Sequence, residues 1–273
     1  MTESIVRAAL EEDAADNDIT SIATILSERR ARCSIVARAD GVIAGIPLAR
    51  EAFRQRHPSA SIRAAVKDGQ RIPAGTPVMF ITGSARGLLS AERVALNFMQ
   101  RLSGIASLTH DFVDAVIGTN ARILDTRKTT PGWRRLEKYA VRAGGGMNHR
   151  MDLGAAVLIK DNHIAALDGD IAMAIRRARD VAPPNTRVEV ECDNLDQIRL
   201  ALAAKPDVIM LDNMDVPTMR KAVGLIDGRA VTEASGGVNL GTVRRIAETG
   251  VDWISVGALT HSAKALDLAL DFL

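Results

Sequence analysis

From residue 121 onward, six short apolar runs alternate with amphipathic stretches, and this alternation narrows the fold more than any other feature of the 273-residue chain. The runs are ARILD (121–125), AVLIK (156–160), RVEVE (187–191), DVIMLD (207–212), AVTEA (230–234) and DWISVG (252–257). Between most of them lie helical patterns: IAMAIRRARDVA, LDQIRLALAAK, VPTMRKAVGLI and LGTVRRIAETG. Strand–helix repetition of this kind makes a parallel sheet with right-handed crossovers. Nearly continuous apolar strands fit burial on both faces. A full eight-unit barrel takes ~250 residues, and only about 150 are present, so an incomplete (β/α) barrel is expected. The alternative is an open doubly wound sheet. It calls for a glycine-rich turn after its first strand, and TRKTTPG is not a dinucleotide fingerprint.

Residues 1–120 follow a different grammar. Ile5, Val6, Ala9 and Leu10 fall at helical spacing near the start. Strand-like pieces follow in CSIVARADGVIAG and SIRAAVKDGQRIPAGTPVMFITG, with Asp40-Gly41 and Asp68-Gly69 as turn signals. PLAREAFRQR reads as a helix with Pro47 in its first turn. A long helical tract over 88–118 comes last, and Gly104 is expected to break it in two. Part of its apolar face suits a subunit interface. The expected organisation is therefore α+β then α/β. An α+β domain with interface helices fills 1–120, part of it available to complete the barrel, and the barrel with the active site fills 121–273.

Composition excludes several functions. There are 35 basic and 33 acidic residues, a net charge of +2, which argues against a broad nucleic-acid-binding face. Any basic cluster is then local and suits a small anion. Cys33 and Cys192 are too far apart in sequence to form a metal signature or a disulfide framework; Cys192 reads as a small buried hydrophobe. The first residues, MTESIVRAALEEDAADND, lack the pattern of a signal peptide, and no apolar run approaches ~18 residues. A cytoplasmic protein is expected.

In parallel α/β proteins the reacting groups sit at the carboxyl ends of strands. The six ends read Asp125-Thr126-Arg127-Lys128, Lys160-Asp161-Asn162-His163, Glu191, Asp212-Asn213, Ser235-Gly236-Gly237 and Gly257-Ala258. Arg127, Lys128, Arg150 and Lys160 make a cationic set, and arginine forks suit carboxylates. Glu191 and Asp212, on neighbouring strands, could bind sugar hydroxyls, share a Mg²⁺ ion through water or substrate, or simply pair with the nearby cations. Ser235, Gly236, Gly237, Gly257 and Ala258 suit a phosphate held by backbone N–H groups, since glycine permits close approach. His149, His163 and His261 lack metal-site spacing; His149 reads as a ligand contact and His261 as structural. The pocket is thus expected to hold a dicarboxylate or similar anion, a polyhydroxylated phosphate and Mg²⁺.

These features carry a resemblance. SAERVALNFMQRLSGIAS, DTRKTTPGWRRLEKYAVRAGGGMNHR, LIKDNHI, VEVE, MLDNM, EASGGV and DWISVGALTHS resemble the quinolinate phosphoribosyltransferase family over nearly the whole length. The resemblance implies that quinolinate and phosphoribosyl pyrophosphate give nicotinate mononucleotide, pyrophosphate and CO₂ with Mg²⁺, as a step of NAD biosynthesis. It implies that the first domain is an open α/β sandwich, and it implies a homodimer. It assigns Arg127, His149, Arg150 and Lys160 to quinolinate, with Arg93 reaching in from the partner subunit. Lys128, Glu191 and Asp212 would serve the phosphoribosyl substrate and metal, and Ser235, Gly236, Gly237 and Gly257 its 5′-phosphate. The chain departs from the family in EEDAADNDIT, where Ala14, Ala15 and Asn17 stand in a motif that usually carries glycines. Asp152 replaces a common glycine and could pair with Arg150 in the empty site. The alternatives are a phosphoribosyltransferase for another pyridine acid and a non-catalytic anion-binding regulator of the same fold.

Overall fold

Contacts in the computed structural model, which describes residues 2–273, divide the chain into two units. The first runs through His110 and regains Arg142–Gly145 and Ala263–Leu273; the second comprises Asp111–Val141 and Gly146–Ser262. Neither unit is an unbroken stretch, so a single cut near residue 120 does not describe them.

In the first unit the strands are β1 (Arg30–Ala37), β2 (Gly41–Val42), β3 (Ser61–Ala64), β4 (Arg71–Ile72) and β5 (Pro77–Ser84). They are joined by β12 (Leu268–Phe272) from the far end of the chain. The main sheet has the order β12-β1-β5-β3 and is antiparallel, and β2 pairs with β4. Cys33, Ile35 and Ala37 on β1 are wholly buried.

Helix α1 (Thr2–Glu12) buries Val6 and Leu10, as its spacing predicts. The short α2 (Ile19–Thr24) starts on Asp18, whose carboxylate accepts the Ser21 N–H at 3.0 Å. Helix α3 (Ile46–Arg56) has proline in its first turn. The Asp68 carboxylate accepts the N–H groups of Gly45 and Ile46 at 3.1 and 3.2 Å. The Asp68-Gly69 turn, with Gly69 at φ +87°, therefore also holds a helix start. Helix α4 (Ala85–Ala115) is one unbroken helix of 31 residues, so Gly104 does not divide it. Gly104 is needed for space instead: a Cβ there would lie 1.9 Å from the Lys264 carbonyl oxygen.

The second unit carries the strand–helix repetition. Its strands are β6 (Arg122–Leu124), β7 (Val157–Ile159), β8 (Val188–Cys192), β9 (Val208–Asp212), β10 (Val231–Ser235) and β11 (Trp253–Ser255). They form a parallel sheet in the order β6-β11-β10-β9-β8-β7. The two outer strands, β6 and β7, do not pair with each other, which leaves an incomplete barrel. Its helices are α5 (Arg134–Ala143), α6 (Asp161–Ala165), α7 (Ile171–Val181), α8 (Leu195–Ala203), α9 (Val216–Ile226), α10 (Val243–Ala247) and α11 (Ala258–His261). Asp170, Asn194 and Asp215 cap α7, α8 and α9 with side-chain oxygens. Along each central strand the side chains alternate. Val188, Val190, Ile209, Leu211, Ala234 and Ile254 are wholly buried apolar residues. The positions between them, among them Glu191, Met210, Asp212, Glu233, Ser235 and Ser255, line one cavity. Burial on both faces is as the sequence predicts, but one of the two faces is largely polar.

Candidate active site

The cavity measures about 600 Å³ and opens at the carboxyl ends of the parallel strands. It gathers ten of the residues the sequence singles out: Arg127, Lys128, His149, Arg150, Lys160, Glu191, Asp212, Ser235, Gly236 and Gly237. Gly257 and Ala258 are not among its lining residues. Gly257 is nonetheless adjacent to Lys128: a Cβ on it would lie 3.1 Å from Lys128 Cδ and 3.2 Å from His261 Nε2. Thr260 donates to the Lys128 carbonyl at 2.7 Å and so ties the loop after β11 to the cationic loop after β6. Arg93 is exposed on α4 and does not line the cavity.

Four cationic side chains, Arg127, Lys128, Arg150 and Lys160, therefore face one space. Burial and the neighbouring Arg127 charge lower the affinity of Arg150 for its proton. Arg150 Nη1 donates to the Ala156 carbonyl at 3.0 Å. Asp152 does not take Arg150 as its partner; its carboxylate accepts the Gly154 N–H at 3.0 Å, a local turn that spends the side chain within its own loop. Arg127 Nε is buried with no hydrogen-bond partner. A buried orphan donor on a cavity wall marks a place where an acceptor is missing.

Glu191 accepts from Lys160 Nζ at 2.8 Å, an ion pair joining the ends of β7 and β8. Burial, partly countered by Lys160, raises its carboxyl above the ordinary range. Asp212 accepts from Asn213 Nδ2 at 2.7 Å. Asn213 stands at φ +51°, and its own N–H reaches the Ser235 carbonyl at 2.9 Å. Gly236 packs so closely on it that a Cβ would meet Asn213 Oδ1 at 2.0 Å, and its φ of +90° excludes other residues as well. Only glycine lets the loop after β10 lie against the loop after β9.

Beneath the cations lies a buried set that the sequence reading does not single out. Glu189 and Glu233 are wholly buried, and their carboxylates stand 3.1 and 3.5 Å from His149 Nε2. On the other side of the ring the Arg150 N–H donates to Nδ1 at 2.8 Å. In the neutral ring that bond puts the proton on Nε2, toward the two carboxylates; the imidazolium carries a proton on Nδ1 as well and gives up the Arg150 N–H. Burial would lower His149, but the facing carboxylates of Glu189 and Glu233 outweigh it and raise the ring to about 9. Burial pushes Glu189 upward too. Both acids were detectable by period: each sits two positions before a strand-end residue already implicated, Glu189 before Glu191 and Glu233 before Ser235. The two other histidines of this unit, His163 and His261, have partners outside this set. His163 Nδ1 accepts the Lys160 N–H at 2.9 Å within the first turn of α6, and His261 Nδ1 lies 2.6 Å from Ser262 Oγ.

An incomplete parallel barrel whose strand ends collect cations, two mouth carboxylates and a glycine loop is the site of a transferase that joins an acid to a phosphorylated sugar. Comparison with known proteins gives the family. The family described as quinolinate phosphoribosyl transferase matches in both parts, the N-terminal domain over residues 18–103 and the C-terminal domain over 105–271. The chain belongs to the quinolinate phosphoribosyltransferase family. The nicotinate-nucleotide pyrophosphorylase [carboxylating] of Mycobacterium leprae is 46% identical over 272 residues, covering 97% of this chain and 95% of that protein. A probable enzyme of the same name from Bacillus subtilis is 44% identical over 95% of this chain and 89% of its own length. The solved structure of the Francisella tularensis nicotinate-nucleotide pyrophosphorylase superimposes with a TM-score of 0.94 at 39% identity, covering 100% of this chain and 96% of that one. No described helix is long and apolar enough to cross a membrane.

Proposed function

We propose that this chain transfers the phosphoribosyl group of phosphoribosyl pyrophosphate to quinolinate with decarboxylation, giving nicotinate mononucleotide, pyrophosphate and CO₂ in NAD biosynthesis. The observation that carries the reading is the convergence of Arg127, Lys128, Arg150 and Lys160 on one cavity, with a buried Arg127 donor awaiting an acceptor. Family membership supports the reaction. Arg127, Arg150, Lys160 and His149 hold the two carboxylates of quinolinate and orient its ring nitrogen toward the ribose. Ser235, Gly236 and Gly237 receive the 5′-phosphate and Lys128 the pyrophosphate, while Gly257 and Ala258, outside the cavity lining, would reach the phosphate only from beside Lys128.

Loss of pyrophosphate leaves positive charge on the ribose ring, and the Glu191 and Asp212 carboxylates stabilise it. Lys160 has three N–H donors, so it can keep Glu191 at 2.8 Å while another proton reaches the acid. One ammonium then links the acid to the carboxylate that serves the ribose. Decarboxylation breaks the bond from C2 to its carboxylate and releases CO₂, and the electron pair left on C2 takes a proton from water.

The donor set also suits Mg²⁺. Two carboxylates, one already engaged by Lys160, are too few for a closed cage, but Mg²⁺ keeps several waters and uses substrate phosphates. Glu191 and Asp212 would hold it through water or substrate, where it would neutralise the leaving pyrophosphate. The enzyme is further proposed to act as a homodimer in which Arg93 of one subunit completes the other's acid pocket, and to reside in the cytoplasm. Incubation with quinolinate, phosphoribosyl pyrophosphate and Mg²⁺ should release CO₂ and pyrophosphate in equal amounts. Pyrophosphate without CO₂ would contradict the assignment of the acceptor.

A further inference from the structure

Asp125, Lys138 and Asn148 lie behind the cationic wall and touch no part of the cavity. Asp125 and Lys138 are both wholly buried. The Lys138 ammonium donates to Asp125 Oδ1 and also to the His149 carbonyl, the latter at 3.0 Å. Asp125 accepts the His149 N–H at 2.9 Å and Asn148 Nδ2 at 2.5 Å. Asn148 Nδ2 in turn reaches the Lys138 carbonyl at 2.9 Å. Both backbone polar groups of His149 are thereby taken by one ion pair, its N–H by the carboxylate and its C=O by the ammonium. The segment before it is pinned as well, since the Met147 N–H reaches the Ile123 carbonyl at 2.8 Å and the Asp125 N–H the Met147 carbonyl at 3.1 Å.

A buried ion pair is a poor means of stabilising a fold, because desolvation offsets most of the attraction and apolar residues of similar volume do as well. Its presence asks for another reason. The residues it holds supply that reason. His149 and Arg150 project from the clamped segment into the cavity, and the Arg150 N lies 2.8 Å from His149 Nδ1. The bonds named above join β6, α5 and residues 147–149, and none of them is made to β8, β9 or β10.

We propose that Asp125, Lys138 and Asn148 are positioning residues for the acid acceptor: a buried clamp on the His149 backbone that sets His149 and Arg150 for a pyridine carboxylate and does not act on the sugar-phosphate residues at the ends of β8, β9 and β10. The proposal rests on the acceptor reading given above. Removing Lys138 alone would strand the buried Asp125 charge, so the decisive variant is the neutral pair Asp125→Asn with Lys138→Met. Asn148→Ala is a milder second variant that keeps the ion pair.

Quinolinate binding is measured by calorimetry without the second substrate, and KM for each substrate by initial rates, beside a thermal melt. The double variant should bind quinolinate at least tenfold more weakly and raise its KM in step, with KM for phosphoribosyl pyrophosphate within threefold of the parent. Asn148→Ala should move the same way by a smaller factor, about threefold. Unchanged quinolinate affinity in the double variant or in Asn148→Ala overturns the clamp, and so does an equal loss on both substrates in Asn148→Ala, which is the pattern of a merely structural role. A failure of the acceptor reading would appear separately, as a parent protein that does not bind quinolinate.

Discussion

Cys33 and Cys192 are wholly buried, and burial raises their thiols to about 11 and about 12. The thiolate is the reactive form, so neither should react with an alkylating reagent at pH 8 in the folded protein, while both should react after denaturation. The sign of the pH effect follows. A thiol whose folded value lies above its ordinary 9.0 binds its proton more tightly in the folded state. The stabilisation is complete below pH 9 and is lost as pH rises toward 12. Thiol counting with and without denaturant, and melts from pH 8 to 11, check both points; a cysteine labelled rapidly in the native protein would contradict the burial. At this scale the sequence reveals cations and strand-end acids well, because charge at a strand end has few other uses. Glu189 and Glu233 are harder to see because they lie one pleat deeper. An acid inside a strand reads as solvent-facing until the barrel's curvature turns that face inward.

Helix α4 shows what a single element can hide. A glycine in a helix interior is normally unfavourable by about 1 kcal/mol relative to alanine, so Gly104→Ala would be expected to stabilise. The Lys264 carbonyl reverses that sign, because a Cβ would lie 1.9 Å from backbone oxygen and the backbone cannot rotate away. Gly104→Ala should therefore destabilise by roughly 1–3 kcal/mol, the usual range for overpacking. Denaturant titration measures it, and a gain in stability would show that residues 263–265 do not approach α4 in this way. Gly104 reads from sequence as a break, because the reason for it lies some 160 residues further on and outside any local window. Strand β12 is missed for the same reason. Its alternation over Leu268, Leu270 and Phe272 is visible, but its partner is β1, near the other end of the chain. The six parallel strands are legible because each unit repeats the previous one.

At the scale of the whole molecule the proposed dimer makes a specific demand. If Arg93 acts across the interface, Arg93→Ala and Lys128→Ala should each be nearly inactive alone. Mixed and allowed to exchange, they should recover activity, because one site of each heterodimer then has both parental residues. With random pairing in a two-fold dimer about a quarter of the parental sites are restored. Absence of recovery after confirmed exchange would place Arg93 in its own subunit's site or outside any site. Selectivity for the acid is the other whole-site property. Arg127, Arg150 and Lys160, together with Arg93 in the proposed dimer, present more positive charge than one carboxylate can match. Nicotinate, with a single carboxylate, would leave a pocket cation desolvated and unpaired, at a cost on the order of 2–5 kcal/mol. The decisive measurement is kcat/KM for quinolinate and for nicotinate under the same conditions. At about 1.4 kcal/mol per tenfold, nicotinate should be poorer by roughly 30-fold to several thousandfold. Comparable values for the two acids would mean that these cations serve phosphates alone, and that the site is not built for a dicarboxylate.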